Sequence, residues 1–251
     1  MPSRRVTRND PVFAMPPAQL TFPQPATRAT GADGVLVASA GGEAVELHAQ
    51  RALYWPRGRT LFVADPHLGK GASFRAAGVP LPRGATAGDL ARLSALLART
   101  RAATLCVLGD FLHAAAGRVA ALDRAFAAWR EAHASLDVVL VRGNHDLHAG
   151  DPPEAWRVRV VAEPHALPPF LACHAPLEPR TGYALCGHVH PGVRVTGRAG
   201  DSARLPCFVL GRRRALLPAF GRLTGLAIVA PAPDESVVAI AGNALFRLPG
   251  A

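Results

Sequence analysis

The chain has 251 residues, with 28 Lys+Arg against 18 Asp+Glu and a formal charge of +10 when histidine is neutral. Apolar residues make up 49% and charged residues 18%, which excludes an intrinsically disordered chain, and no apolar run reaches the roughly 18–20 residues of a membrane span. The charge is a weak pointer to a nucleic acid, because every basic residue except Lys70 is arginine, a bias that a GC-rich coding sequence gives any protein.

Residues 1–33 carry Pro and Arg without a period of 2 or 3.6 and read as a disordered leader. Arg4, Arg5 and Arg8 precede Pro11, Pro16 and Pro17 rather than an apolar signal-peptide core, so a soluble, cytoplasmic protein is expected. From residue 34 to 251 a single domain is expected. Strand-length apolar runs recur at 35–39, 44–48, 51–55, 60–64, 104–108, 137–141, 170–173, 183–186, 193–196, 205–210, 226–229 and 237–240. Two helices interrupt them. Thr86-Ala-Gly-Asp89 fits a capping box, followed by Leu90, Leu93 and Leu97, which predicts a helix over about 86–99. Val119, Leu122, Phe126 and Trp129 predict a second over about 118–133. Alternation of strands and helices in the first half implies right-handed parallel crossovers; the later strands, joined by short turns, read as antiparallel or mixed. Cys106, Cys173, Cys186 and Cys207 form no C-x-x-C pair and lie in apolar runs, so they read as buried free thiols.

The strand ends hold the informative residues. Run 60–64 leads into Asp65-Pro-His67, run 104–108 into Gly109-Asp110-Phe-Leu-His113, and run 137–141 into Arg142-Gly-Asn144-His145-Asp146. Run 170–173 leads into His174, and run 183–186 into Gly187-His188-Val-His190. Ligands of open α/β sheets bind beyond the carboxyl ends of the strands, so five strand ends deliver Asp, His and Asn to one crevice. Six of the ten histidines fall in these short segments. Carboxylate, amide and imidazole ligands suit Mn, Fe or Zn. Alternation in an extended D-x-H or H-x-H segment sends the two outer side chains to the same face, and Gly109, Gly143 and Gly187 allow sharp turns and close approach. Singly, each motif is ordinary turn chemistry; the ordered set is not.

In that order, D-x-H, G-D-x-x-H, G-N-H-D, a lone strand-end His and G-H-x-H resemble the calcineurin-like metallophosphoesterases over about residues 50–210. The resemblance implies a four-layer α/β/β/α sandwich with a dinuclear centre at the strand ends. It implies one divalent ion on Asp65, His67 and His190, a second on Asn144, His174 and His188, and Asp110 as the bridge. It assigns His145 as the catalytic imidazole and Asp146 as its orienting partner. The Ala64–Lys70 and Phe74–Gly78 segments, Gly109–His113, Leu205–Phe208, Leu217-Pro-Ala-Phe-Gly221 and Thr224-Gly225 are similar to the ligase-associated DNA-damage-response endonuclease subfamily. That subfamily implies two metal ions, with manganese first and Fe or Zn as alternatives. It further implies DNA with single-stranded or flapped ends as substrate, and a DNA ligase and a helicase as partners. The chain departs from the pattern at Pro66, in the middle of D-x-H, and at Ala175, where a second His often follows.

Two divalent ions against Asp65 and Asp110 leave a centre with a net positive charge, suited to an anionic ester. The expected reaction is phosphodiester hydrolysis by a metal-activated hydroxide, with His145 serving the leaving oxygen. A histidine at His113 resembles the nuclease branch and points to contact with the scissile group. Lys70, Arg75 and the run Arg212-Arg213-Arg214 are candidate phosphate contacts, the run as a nucleic-acid track. The competing readings are a phosphodiesterase acting on a small nucleotide diester and a scaffold that kept the fold without the reaction.

Overall fold

The structure, a computed structural model, describes residues 33–196 and 201–248. The expected leader, residues 1–33, therefore lies outside the described residues except for Asp33. Strands β1 (Val35–Ala40), β2 (Glu43–His48), β3 (Ala52–Trp55) and β4 (Thr60–Ala64) form an antiparallel meander. From β4 the sheet continues in parallel through β5 (Thr104–Leu108), β6 (Asp137–Val141) and β7 (Arg159–Val161). Helix α1 (Lys70–Ala76) follows the first site motif, α2 (Ala85–Thr100) and α3 (Ala120–Ala132) make the crossovers, and α4 (Asn144–Ala149) opens directly on the third motif.

The second sheet contains β8 (His165–Leu167), β9 (Phe170–Cys173), β10 (Tyr183–Cys186), β11 (Pro191–Thr196), β12 (Ser202–Leu210), β13 (Arg214–Leu216) and β14 (Ala227–Ile228). Its order is β14-β11-β12-β13-β10-β9-β8, with β15 (Ser236–Ala241) on β12 and β16 (Ala244–Arg247) on β15. Within this mixed sheet β9, β10 and β13 run parallel, so β9 and β10 end together.

Period-2 alternation distributes the core. On β4, Phe62 and Ala64 face the second sheet while Leu61 and Val63 face the helices; on β12, Phe208 and Leu210 face the first sheet while Cys207 and Val209 face away. Helix α2 buries Leu90, Leu93, Leu96 and Leu97 against the first sheet, each contributing about 1.5–3 kcal/mol. All four cysteines are free and buried, as read from the sequence.

The two packed sheets, the helices and the placement of strand ends agree with the α/β expectation. The outermost layer on the second sheet differs: among the described residues every α-helix precedes residue 150, and irregular chain carrying Leu177, Val189 and Val229 covers that face. Helix α2 begins one residue earlier than expected, with Gly84 rather than Thr86 as its N-cap and no side-chain cap. Asp89, read as a capping-box partner, is instead buried and lies 3.2 Å from Arg92.

Candidate metal centre

Five loops following β4, β5, β6, β9 and β10 meet at one end of the paired sheets. The first two are sewn together by backbone: His67 N–H donates to the Asp110 carbonyl at 2.9 Å and Leu68 N–H to that of Phe111 at 2.8 Å. Asp65 and Asp110 are 0% and 2% exposed. Each is fixed by a main-chain donor from another loop, His188 N–H on Asp65 Oδ2 and His145 N–H on Asp110 Oδ1, both at 2.9 Å.

Two ligand sets share Asp110. Asp65, His67, Asp110 and His190 bring one candidate ligand atom each within 4.8 Å of one another, and Asp110, His174 and His188 do the same. Asn144 joins the second set, its Oδ1 being 2.8 Å from His174 Nε2. His174 Nε2 also lies 3.0 Å from His188 Nδ1 and 3.5 Å from Asp110 Oδ1, so lone pairs of four side chains converge on one point. Asp65 Oδ1, both ring nitrogens of His67 and His190 Nε2 are buried without a hydrogen-bond partner. Two buried carboxylates facing unpartnered imidazoles are costly unless cations lie between them, so the residues fit a pair of divalent ions.

Burial pushes the Asp65 carboxyl up from its ordinary range and pushes His67 down to about 2, aided by the charge of Lys70. Burial also lowers His188, and it lowers His113 to about 4, again with Lys70. Imidazoles held neutral are the form that ligates metal.

Glycine is needed beneath the ligands. Gly109 has φ +77°, and a Cβ there would lie 2.0 Å from His174 Nδ1; one on Gly143 would lie 2.4 Å from Asp110 Oδ1. The loops can stack only because these two positions carry no side chain.

His145 sits at the open edge, its side chain 39% exposed and its Nε2 3.9 Å from Asp110 Oδ2. Its Nδ1 is 2.8 Å from the His113 carbonyl. A carbonyl only accepts, so Nδ1 holds the proton in that bond and Nε2 is left to face the cluster. His113 stacks on His145 with ring centroids 5.1 Å apart at 22° and meets His67 edge-on at 5.3 Å. Asp146 does not touch the His145 ring. It is 0% exposed, and its two oxygens accept from Leu112 N–H at 2.9 Å and Gly143 N–H at 3.0 Å. As the third residue of α4, Asp146 reaches back to the main chain, as in a capping box, rather than to the imidazole that the sequence reading paired it with.

The basic candidates separate. Lys70 is half-buried beside the centre, where Asp65 and Asp110 hold up a pKa that burial lowers. Arg75 points away, donating to the Leu81 and Pro82 carbonyls at 3.5 and 3.3 Å. The residues of the expected track, Arg212, Arg213 and Arg214, lie at the start of β13, which runs parallel to β10, so they sit at the opposite end of the sheet from His188. Arg214 is engaged with Glu178 and Glu235, each at 3.3 Å. A run of charge in sequence was a solvated turn with local partners. Glu163 carried no sequence signal, yet its Oε2 accepts from His174 N–H at 2.7 Å and Ala175 N–H at 2.9 Å, and so positions the β9 loop.

Among solved structures, the chain is similar to the Pseudomonas putida nuclease MPE at 42% identity over 85% of this chain and 100% of that one, with a TM-score of 0.74. It also aligns with YfcE, a phosphoesterase from E. coli, at 17% identity over 74% of this chain and 90% of that one, with a TM-score of 0.34. No curated protein sequence matches the chain. The calcineurin-like phosphoesterase family matches residues 58–176, which span β4 through the His174 loop. With five strand ends holding two ligand sets about a shared carboxylate, and with a full-length relative at this identity, the chain belongs to the calcineurin-like phosphoesterase family.

Proposed function

We infer that the chain, as one domain over residues 34–251, is a metal-dependent nuclease that hydrolyses phosphodiester bonds in DNA. The observation that carries this reading is the complete pair of ligand sets about Asp110 with His145 Nε2 at their open edge. The 42% identity to a nuclease supports the substrate class. The resemblance to the ligase-associated subfamily supports single-stranded or flapped ends, a repair setting with a DNA ligase and a helicase as partners, and manganese as the metal.

Asp65, His67, His190 and the shared Asp110 would hold one ion; Asn144, His174, His188 and Asp110 the other. When bound, such ions neutralise phosphoryl oxygens and lower the pKa of water from 15.7 toward roughly 7. The protein supplies the rest. Fixed main-chain donors keep both carboxylates from rotating, and burial keeps His67 neutral beside them. The His113 carbonyl holds the Nδ1 proton of His145, so a proton on Nε2 makes the ring an imidazolium aimed at the centre, able to protonate a leaving oxygen. His113, stacked on that ring, closes the leaving-group side, and Lys70 adds a cation for a neighbouring phosphate.

The test is hydrolysis of single-stranded DNA, a bis-aryl phosphodiester and a phosphomonoester with added manganese, by wild type, Asp110→Ala and His145→Ala. Asp110→Ala should lose bound metal and all turnover. His145→Ala should keep its metal and lose about 10²–10⁴-fold in rate. Wild type that cleaves small diesters but no DNA would refute the nuclease reading.

A further inference from the structure

The segment Leu217–Thr224 lies outside the ligand sets, yet it builds a second charged feature. Phe220 N–H donates to the Ala64 carbonyl at 2.7 Å and Gly221 N–H to that of Asp65 at 3.2 Å, so the segment is attached to the first ligand strand. Its own carbonyls collect arginines: Arg51 Nη1 donates to Ala219 at 3.1 Å, and Arg92 Nη2 donates to Phe220. The Arg92 guanidinium lies over the Phe220 ring, 3.8 Å from its centroid, which helps hold it in place. Arg51, Arg92 and the exposed Arg222 line one groove of about 570 Å³. Asp89 is the carboxylate among them, leaving two positive charges uncompensated. Among the described residues the Arg222 guanidinium donates no hydrogen bond and makes no salt bridge, while Arg92 Nε is buried without a partner. A narrow cleft lined by Pro66, His67, Lys70, Asp89 and Gly221 lies between this groove and the metal centre.

Three guanidiniums, two of them held rigidly by main chain and ring, form a pre-organised oxyanion receptor. The geometry points to Arg51, Arg92 and Arg222 as a phosphate site for a nucleic-acid strand whose scissile bond lies at the metal centre, with Lys70 between the two. This assignment rests on the nuclease reading for the identity of the strand. The same chemistry would take a free phosphate or nucleotide, and the experiment separates the two sources.

The measurement is fluorescence anisotropy of a labelled phosphorothioate single strand with the metal-loaded full chain, across a salt series. Arg222→Gln should raise Kd about tenfold at low salt and make the slope of log K against log[salt] shallower by roughly 0.7. Arg212→Gln, an exposed arginine at the far end of the sheet, is the reference for general charge. Equal behaviour of the two variants would overturn the site. So would a loss of bis-aryl phosphodiester turnover in Arg222→Gln as large as its loss on DNA, since the arginine would then act through the metal centre. Thermal stabilisation by inorganic phosphate that Arg222→Gln abolishes, with oligonucleotide affinity unchanged, would assign the groove to a free anion and overturn the strand assignment. Weakened strand binding in Arg222→Gln alongside a wild type that cleaves no DNA would leave the site standing and refute the nuclease reading alone.

Discussion

Asp146→Asn separates two roles for a buried carboxylate beside His145, the proposed catalytic imidazole. Both of its partners are donors, Leu112 N–H and Gly143 N–H, so both oxygens must accept. An asparagine offers one acceptor and one NH2, which sets donor against donor at one of the two positions. The cost is a charge-assisted bond lost and a buried N–H left unpaired, about 2 kcal/mol. For a chain of this size that lowers Tm by about 4–8 °C. Because those two donors belong to the loops that carry Asp110 and Asn144, metal content and rate should fall together with stability. Thermal unfolding, bound-metal analysis and bis-aryl phosphodiester kinetics on one preparation read all three. A variant that melts with the wild type and keeps its metal but is slowed a hundredfold would refute the reasoning, since that pattern belongs to a carboxylate acting on the His145 ring.

Gly109→Ala places a methyl 2.0 Å from His174 Nδ1 at φ +77°, so bound metal should fall from about two ions per chain toward one; full occupancy would contradict the packing argument. His48 is 0% exposed and burial lowers it from 6.5 to about 4, so the unfolded chain takes up the proton first. Its contribution to stability is full above pH 6.5 and lost as pH falls to about 4, a change of about 3 kcal/mol that should be absent in His48→Leu when unfolding is measured across that range. Arg214→Gln, which removes the pairs to Glu178 and Glu235, should cost about 1 kcal/mol and leave oligonucleotide affinity where Arg212→Gln leaves it; a selective loss of DNA binding would restore the track. Chelation should lower Tm by several degrees, in line with about 2.7 kcal/mol for an ion at a hundred times its Kd, with far-UV circular dichroism unchanged at room temperature.

The candidate ligand cluster was legible because each of its residues lies at the end of a strand that alternation or an apolar run announces, and because chemistry restricts ligand types. Runs 60–64, 104–108, 137–141, 170–173 and 183–186 coincide with β4, β5, β6, β9 and β10. The short elements were not legible. Strands β7, β8 and β13 have three residues each, and α4 has six, too few for a period to repeat. Nor was the role of Asp146, because sequence adjacency to His145 says nothing of where two oxygens point. The arginine groove is the extreme case: Arg51, Arg92 and Arg222 come from a turn, a helix and a loop, with no spacing to mark them. The contiguous arginines at 212–214 drew attention for a proximity that β-hairpin geometry turned away from the site.

Backbone conformation joins the legible and illegible parts. Asp65, His67, Asp110, His188 and His190 all have positive φ, between 46° and 66°, and they make up five of the nine non-glycine residues in that region among the described residues. Each such residue costs on the order of 1–3 kcal/mol, so the sum is comparable with the whole stability of an ordinary domain. Such a cost is sustainable only where the surroundings over-determine the geometry, and here they do. The parallel ladder of β4, β5 and β6 fixes the strand ends, His67 and Leu68 donate across to the β5 loop, and the Asp65 and Asp110 carboxylates are each held by a main-chain donor. Left-handed residues at the ends of β4, β5 and β10 turn those three loops over the sheet edge, where their side chains meet those of the β6 and β9 loops about Asp110. The strain is thus stored at the ligand positions while the stabilising contacts lie in the sheets behind them. Substitutions in the sheets should therefore be felt first as lost metal affinity and only later as unfolding.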